Sequence, residues 1–407
     1  FGSPNKSGKA SSHGSPLGEE EISLVRKKLK WNHPPFQIPK EILNEWREIG
    51  ENGARFEKKW LHSLSKNKKH IKIKKNLEDI FEDKNFNNLN SLIVSEKEKY
   101  FKEKPSKATR QCSSDTIEII SKILPELIGG SADLSGSNNA KTKNSKIISS
   151  KNFDGNYIHY GVREHGMAAA MNGLALYGGL IPYSGTFLIF SDYCKPSIRL
   201  SALMGLRVIY IFSHDSIGLG EDGPTHQPIE QLAGLRAIPN LNVFRPADIN
   251  ETLECWQIAL ESKNTPSAIV LSRQKLSYIN PSFSRENKSK FGAYSIKTTA
   301  EKSSVILLAT GSEVELALEA QKKLKEQNID SQVVSMPCQE LFDLQNTEYK
   351  NKILNKDIPI ISIEAGSKNG WEKYTKNNIG LSSFGKSAPY KEIYAHLKLT
   401  SEEIVKL

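Results

Sequence analysis

The chain has 407 residues, too many for one compact core, so two or three domains are expected. With 38% hydrophobic and 25% charged residues its composition is that of a soluble globular protein, and no apolar run approaches the roughly 20 residues that span a bilayer. The net charge of +10 is uneven: residues 1–75 carry 17 Lys and Arg against 8 Asp and Glu, so the remainder is close to neutral.

The opening Phe1-Gly2-Ser3-Pro4 is polar and turn-forming, unlike a signal peptide, and the missing initiator Met points to further residues upstream. Cys112, Cys194, Cys255 and Cys338 are isolated from one another, which argues against a zinc site or a disulfide framework and for free thiols in a reducing cytoplasm. Residues 1–18 read as a Gly/Ser/Pro-rich loop, followed by a charged helix start at Glu19. Ile42, Leu43, Trp46 and Ile49, then Phe56, Trp60 and Leu64, recur at helical spacing and predict helices that pack one face. The lysine run Lys66–Lys75 lacks interleaved aromatics, a Gly-rich RNA-binding signature and zinc spacing, so a solvated helix or linker is the better reading and no nucleic-acid partner is expected. Residues 66–106 read as a helical connector.

From about Ala108 the texture changes. Thr116–Leu124 predicts a helix. Short apolar runs at Tyr157–Tyr160, Leu180–Ser184, Leu206–Ser213, Leu241–Phe244 and Ala268–Ser272 predict buried strands. Helices are predicted over Gly166–Tyr177, Lys195–Met204 and Asn250–Glu261. This alternation predicts a parallel sheet with helices on both faces. A second unit of the same kind starts near Phe291, with strands at Val305–Ala309, Gln332–Ser335 and Pro359–Glu364 and a helix at Glu313–Gln327. The polar stretch 280–302 marks the boundary between them.

In open parallel sheets ligands bind beyond the carboxyl ends of the strands. Leu206–Ser213 is followed by His214-Asp-Ser-Ile-Gly-Leu-Gly-Glu-Asp222-Gly-Pro-Thr-His226-Gln-Pro228, with three glycines and two histidines. Ala268–Ser272 is followed by Arg273, a planar fork suited to phosphate. Tyr157–Tyr160 is followed by Gly161-Val-Arg-Glu164-His165-Gly-Met, which sets a carboxylate at a helix start. Each has an ordinary reading: a solvated loop histidine, a structural arginine, a glutamate that complements a helix dipole. Their convergence on one sheet edge points to an enzyme acting on a phosphorylated, hydroxylated small molecule.

Four longer segments carry a family resemblance. Gly2-Ser-Pro-Asn-Lys-Ser-Gly with Ser12-His13-Gly-Ser-Pro-Leu-Gly18, Gly129-Gly-Ser-Ala-Asp133-Leu-Ser-Gly-Ser137-Asn138, His159-Tyr-Gly-Val-Arg-Glu164-His-Gly-Met and His214–Pro228 are similar, in this order, to motifs of the transketolases. The resemblance extends to Ala309-Thr-Gly-Ser-Glu-Val314. It implies consecutive parallel-sheet α/β domains, divided as the tail of an N-terminal diphosphate-binding domain and start of a linker (1–75), a pyrimidine-binding domain with its connector (76–290), and a C-terminal domain (291–407). The family's Gly-Asp-Gly…Asn motif for metal and diphosphate is not found here. The chain is therefore expected to lack most of the diphosphate-binding domain, to be inactive as an isolated fragment, and to hold no metal ligand of its own. Thiamine diphosphate is the implied cofactor, with Mg2+ (or Ca2+) bound through residues upstream.

The resemblance also implies roles. Glu164 matches the glutamate that hydrogen-bonds the cofactor's aminopyrimidine, in a site expected to be dry. Phe187 and Phe190 match aromatics flanking that ring, although plain core packing would also explain them. His13 and His226 match histidines that line the reaction centre; His13 also contacts the cofactor. Asp222 matches an aspartate that reads a sugar hydroxyl. Arg110, Ser137, His214 and Arg273 match a phosphate-binding set, and Asp133 a supporting residue. The implied assembly is a homodimer with active sites at the interface, acting in the cytoplasm on sugar phosphates, with no membrane partner. The implied reaction moves a two-carbon ketol unit from a ketose phosphate to an aldose phosphate. A related thiamine-diphosphate enzyme, or a split subunit needing a diphosphate-binding partner, is the alternative.

Overall fold

The computed structural model describes residues 2–66, 68–299 and 303–407. Phe1, Asn67 of the lysine run and the last three residues of the expected boundary stretch lie outside these. The chain forms two compact units, Phe1–Glu78 and Asp79–Leu407.

In the first unit, Glu19–Lys28 begins with three glutamates and ends with Arg26, Lys27 and Lys28, which complements the helix dipole at both ends. The two expected apolar helices are one continuous helix, Lys40–Leu64. Its apolar stripe does not pack as expected: Trp46, Ile49, Phe56 and Trp60 are exposed, and Leu64 is its one buried residue.

The second unit holds two sheets. The first contains β1 (Leu127–Ser131), β2 (Tyr157–His159), β3 (Ile181–Phe187), β4 (Ile209–Ser213), β5 (Asn242–Phe244) and β6 (Ser267–Leu271). All pairings are parallel, in the order β2-β1-β3-β4-β6-β5. From β1 the chain crosses to β2 on one side, and from β3 it runs on to β4 on the other. The connections therefore diverge between β1 and β3 and leave a crevice at their carboxyl ends. The central β1 escapes the sequence reading because Leu-Ile-Gly-Gly-Ser has little strand propensity. Both glycines are required by packing. A Cβ on Gly129 would come within 2.3 Å of the Tyr183 hydroxyl, and one on Gly130 within 2.3 Å of the Tyr160 ring.

Helices cover both faces. Ile249–Glu261 is buried over all but its last residue. Its Trp256 packs edge-to-face on Tyr183 and donates Nε1–H to Ser113 Oγ at 2.9 Å. The expected connector contributes a core helix, Leu89–Glu103. It buries Leu89, Ile93, Val94 and Tyr100, and its buried Lys97 pairs with Glu254.

The second sheet contains β7 (Tyr294–Thr298), β8 (Val305–Ala309), β9 (Ser331–Ser335), β10 (Ile360–Ser367) and β11 (Asn377–Leu381), in the order β11-β10-β8-β9-β7. It is parallel except for β7, an antiparallel edge strand within the expected boundary stretch. Two buried ion-pair networks join the sheets. Arg245, just past β5, donates Nε and Nη2 to Asp215 Oδ2 at 3.0 and 2.7 Å, Nη1 to Thr310 O at 2.8 Å, and Nη2 to Ser312 Oγ at 3.0 Å. It also pairs with Glu313, which accepts from Tyr394 Oη and Ala365 N. Arg236 forms a two-pronged pair with Glu364 at 2.7 and 2.8 Å, and Trp371 Nε1 donates to the same carboxylate.

Candidate functional site

The candidates of the second unit come from segments following β1, β2, β3, β4 and β6, and from the start of the helix Thr109–Ile120. His13 belongs to the first unit. It is exposed and closes a short turn, with its N–H on Ala10 O at 3.0 Å. That loop is anchored by Glu21, which accepts from Asn5 N and Asn5 Nδ2 at 2.9 Å and from Ser3 Oγ; these bonds lower its carboxyl to about 2.

Aromatic rings collect at the ends of β3 and β4. Phe187 and Phe190 lie nearly parallel, 5° apart in plane, with centroids 5.7 Å apart. His214 stacks on Phe187 at 3.7 Å. His226 meets both phenylalanines edge-on, at 6.2 and 5.7 Å. Phe187 is buried and Phe190 half-buried, so the pair is a floor with one side open. Glu164 is the first residue of the helix Glu164–Tyr177. It is half-buried. Its charge contributes to raising the buried Cys194 thiol, after burial itself, and this brings the carboxylate near the helix that follows Phe190.

The cationic side of the site is built by a pairing between distant segments. Ser272, just past β6, and Thr109, at the helix start, exchange hydrogen bonds. The next residues are Arg273 and Arg110. Arg110 donates Nη1 to Ser137 O, in the short helix Ser135–Asn138, and its Nε is buried without a partner among the described residues. Burial, then the neighbouring Arg273, lower the Arg110 guanidinium. His214 is 3% exposed, and its imidazole is depressed to about 3 by burial, then by Arg110, Arg273 and His226. No ion pair to a carboxylate is seen for either arginine among the described residues. Two cations, an unpartnered N–H and a neutral imidazole beside hydroxyls are the chemistry that suits an anion such as a phosphate group.

His214 adopts φ +60°, in the left-handed region, and Ser213 Oγ lies 2.9 Å from its Nδ1. The loop continues to Asp222, which is exposed, and His226, whose Nδ1 lies 3.0 Å from Thr225 Oγ1. The C-terminal domain holds this loop. Gln227 donates Nε2 to Gly220 O at 2.9 Å and Lys386 O at 2.8 Å, Ser387 Oγ donates to Glu221 O, and the Arg245 network grips Asp215 beside His214. Arg245 follows a predicted strand just as Arg273 does. Only burial separates the structural arginine from the one facing solvent. Asp133 is exposed, at φ +62°. Among the described residues no cluster of His, Cys, Asp or Glu could hold a metal ion, and no helix is long and apolar enough to cross a membrane.

Comparison with known proteins assigns all three segments. A model of the transketolase pyrimidine binding domain matches residues 105–278, a transketolase-like C-terminal domain matches 292–400, and the transketolase thiamine diphosphate binding domain matches 1–85. The transketolase of Sinorhizobium medicae is 47% identical over 408 residues, 99% of this chain and 58% of that protein. That of Cereibacter sphaeroides is 46% identical over 409 residues, 100% of this chain and 61% of that protein. The crystal structure of a transketolase variant from Pichia stipitis in complex with fructose 6-phosphate superposes with a TM-score of 0.91 at 37% identity, covering 100% of this chain and 60% of that one. The chain spans about three fifths of the length of the curated relatives it matches. Two expectations need correction. The diphosphate-binding domain is represented here, by residues 1–85, and the idea that the chain is inactive by itself finds no support in these matches. The chain is thus built of transketolase-family domains, the thiamine diphosphate binding, pyrimidine binding and C-terminal domains in that order.

Proposed function

We propose that this protein is a transketolase, moving a two-carbon ketol unit from a ketose phosphate such as xylulose 5-phosphate to an aldose phosphate such as ribose 5-phosphate in the pentose phosphate pathway. The observation that carries this is the meeting, at the carboxyl edge of the first sheet, of the Phe187, Phe190 and His214 rings with the charges of Arg110 and Arg273. The fructose 6-phosphate in the complex of the Pichia stipitis relative supports a sugar-phosphate substrate. The domain bounds we adopt are 1–75, 76–290 and 291–407. We further propose a cytoplasmic homodimer with its active sites at the interface.

Thiamine diphosphate is the proposed cofactor, with Mg2+ or Ca2+ at residues upstream. The parallel rings of Phe187 and Phe190 and the half-buried Glu164 suit a flat heteroaromatic ring that needs apolar faces and one acidic hydrogen-bond partner. When bound, the cofactor supplies the carbanion chemistry that breaks and remakes the carbon–carbon bond. Glu164 would hold a proton against a ring nitrogen of the bound cofactor, and Phe187 and Phe190 would orient the ring. His13, exposed on its own loop, would serve the cofactor and the sugar hydroxyls. His226 has Nδ1 engaged with Thr225, which leaves Nε2 to exchange protons with sugar hydroxyls. Asp222 reads a hydroxyl configuration, a contact that discriminates strongly against analogues lacking the group. Arg110, Ser137, His214 and Arg273 bind the phosphate, and Asp133 supports the loop beside Ser137.

A coupled assay with xylulose 5-phosphate, ribose 5-phosphate, thiamine diphosphate and magnesium tests the reading in the natural full-length protein. Turnover that falls by about 100-fold or more in Glu164→Gln, in the range expected for a general acid–base group, supports it. No turnover in the wild type, despite cofactor binding, sinks it.

A further inference from the structure

We propose that Thr109 and Ser272 form a positioning clamp that sets the spacing of Arg110 and Arg273 for a phosphate monoester; this rests on the phosphate reading above. The two residues are 163 apart in sequence and both are buried. Ser272 N donates to Thr109 Oγ1 at 2.7 Å, and Thr109 N donates to Ser272 Oγ at 3.0 Å. Thr109 Oγ1 gives its own proton to Ser272 Oγ at 3.1 Å, and Ser272 Oγ passes its proton to Gln274 O at 3.0 Å. Each hydroxyl donates once and accepts, so the hydrogen bonds fix both side chains and both backbones together.

The clamp opposes a specific force. Arg110 and Arg273 repel each other, and Arg273 is exposed on a loop, with no ion pair of its side chain among the described residues. Two further contacts brace the same segment. Lys107 and Leu276 exchange backbone hydrogen bonds at 3.2 and 3.0 Å. Gln274 lies against Gly218, where a Cβ would come within 2.4 Å of its Nε2. The segment that carries Arg273 is thereby held to the loop that carries His214. Thr109 and Ser272 act through the arginines; they are positioning residues, and their effect belongs to the phosphate alone.

The test compares Thr109→Val and Thr109→Ser in the natural full-length protein, with ribose 5-phosphate and unphosphorylated glycolaldehyde as acceptors. Val keeps the shape and loses the hydroxyl; Ser keeps the hydroxyl. Thr109→Val is expected to raise KM for ribose 5-phosphate about tenfold, with kcat and the glycolaldehyde KM within about twofold, the size of one well-placed hydrogen bond. Thr109→Ser is expected to restore the wild-type KM. Ser272→Ala keeps the Ser272 N–H on Thr109 and is expected to give the same split at about threefold, which serves if the Val variant folds poorly. Equal changes for both acceptors, or no change for either, overturn the clamp. Arg110→Gln and Arg273→Gln separate the two levels. If they leave KM for the phosphorylated acceptor unchanged, the phosphate reading itself fails. If they raise it while Thr109→Val does not, only the clamp fails.

Discussion

Arg245→Met is the sharpest perturbation of the link between the two sheets. The guanidinium is fully buried and binds the carboxylates of Asp215 and Glu313, both 2% exposed or less. Burial pushes the Asp215 carboxyl up, and the attraction of Arg245 opposes that push. Methionine fills much of the volume and leaves two buried carboxylates without a counter-charge. Breaking a buried pair in this way costs about 3–5 kcal/mol, whereas removing all the charges together costs little. Urea unfolding followed by tryptophan fluorescence reads this directly, since Trp256 and Trp371 are buried in the layers on the first and second sheets respectively. Arg245→Met is expected to lose about 4 kcal/mol, and the triple variant with Asp215→Asn and Glu313→Gln to recover at least half of it. Because Asp215 adjoins His214, KM for a sugar phosphate should rise with the single variant. A loss below about 1 kcal/mol, or a triple variant no better than the single, refutes the reasoning.

Three other outcomes follow from the same geometry. Gly129→Ala drives a methyl group into the Tyr183 ring, itself held by Trp256, and should cost about 1–3 kcal/mol in urea unfolding. Gln227→Leu removes donors from Gly220 O and Lys386 O; it should cost about 1–3 kcal/mol and lower kcat, since His226 is the next residue. His214 gives a pH signature. Folding depresses its imidazole from 6.5 to about 3, so between these values the unfolded chain binds the extra proton. Its contribution is therefore intact above pH 6.5, weakens as pH falls through that window, and levels off below about 3, at a slope of at most about 1.4 kcal/mol per pH unit. His214→Gln should flatten the loss of urea midpoint between pH 7 and pH 4.5; an unchanged loss would mean that the ring is protonated in the fold.

The sheet edge was legible because its strands are apolar runs ended by turn residues. Tyr157–Tyr160, Leu206–Ser213 and Ala268–Ser272 predict where β2, β4 and β6 end, and so where Glu164, His214 and Arg273 begin. What stayed hidden follows from packing. β1 lacks an apolar run that would mark it as a strand because two glycines make room for tyrosines from neighbouring segments. β11 reads as polar because it is Asn-Asn-Ile-Gly-Leu at an edge, and β7 lies in a stretch whose polarity marks a boundary.

The alternation of elements, the positions of the strand-end loops and the charge imbalance of the first 75 residues can be read along the chain. These depend on local periodicity and on turn residues, which are written along the chain. Which strand-end arginine is buried against two carboxylates and which stays open, the neutral state of His214 and the meeting of Thr109 with Ser272 emerge only on folding. Burial and electrostatic environment belong to layers assembled from distant segments, and no single stretch of sequence contains them.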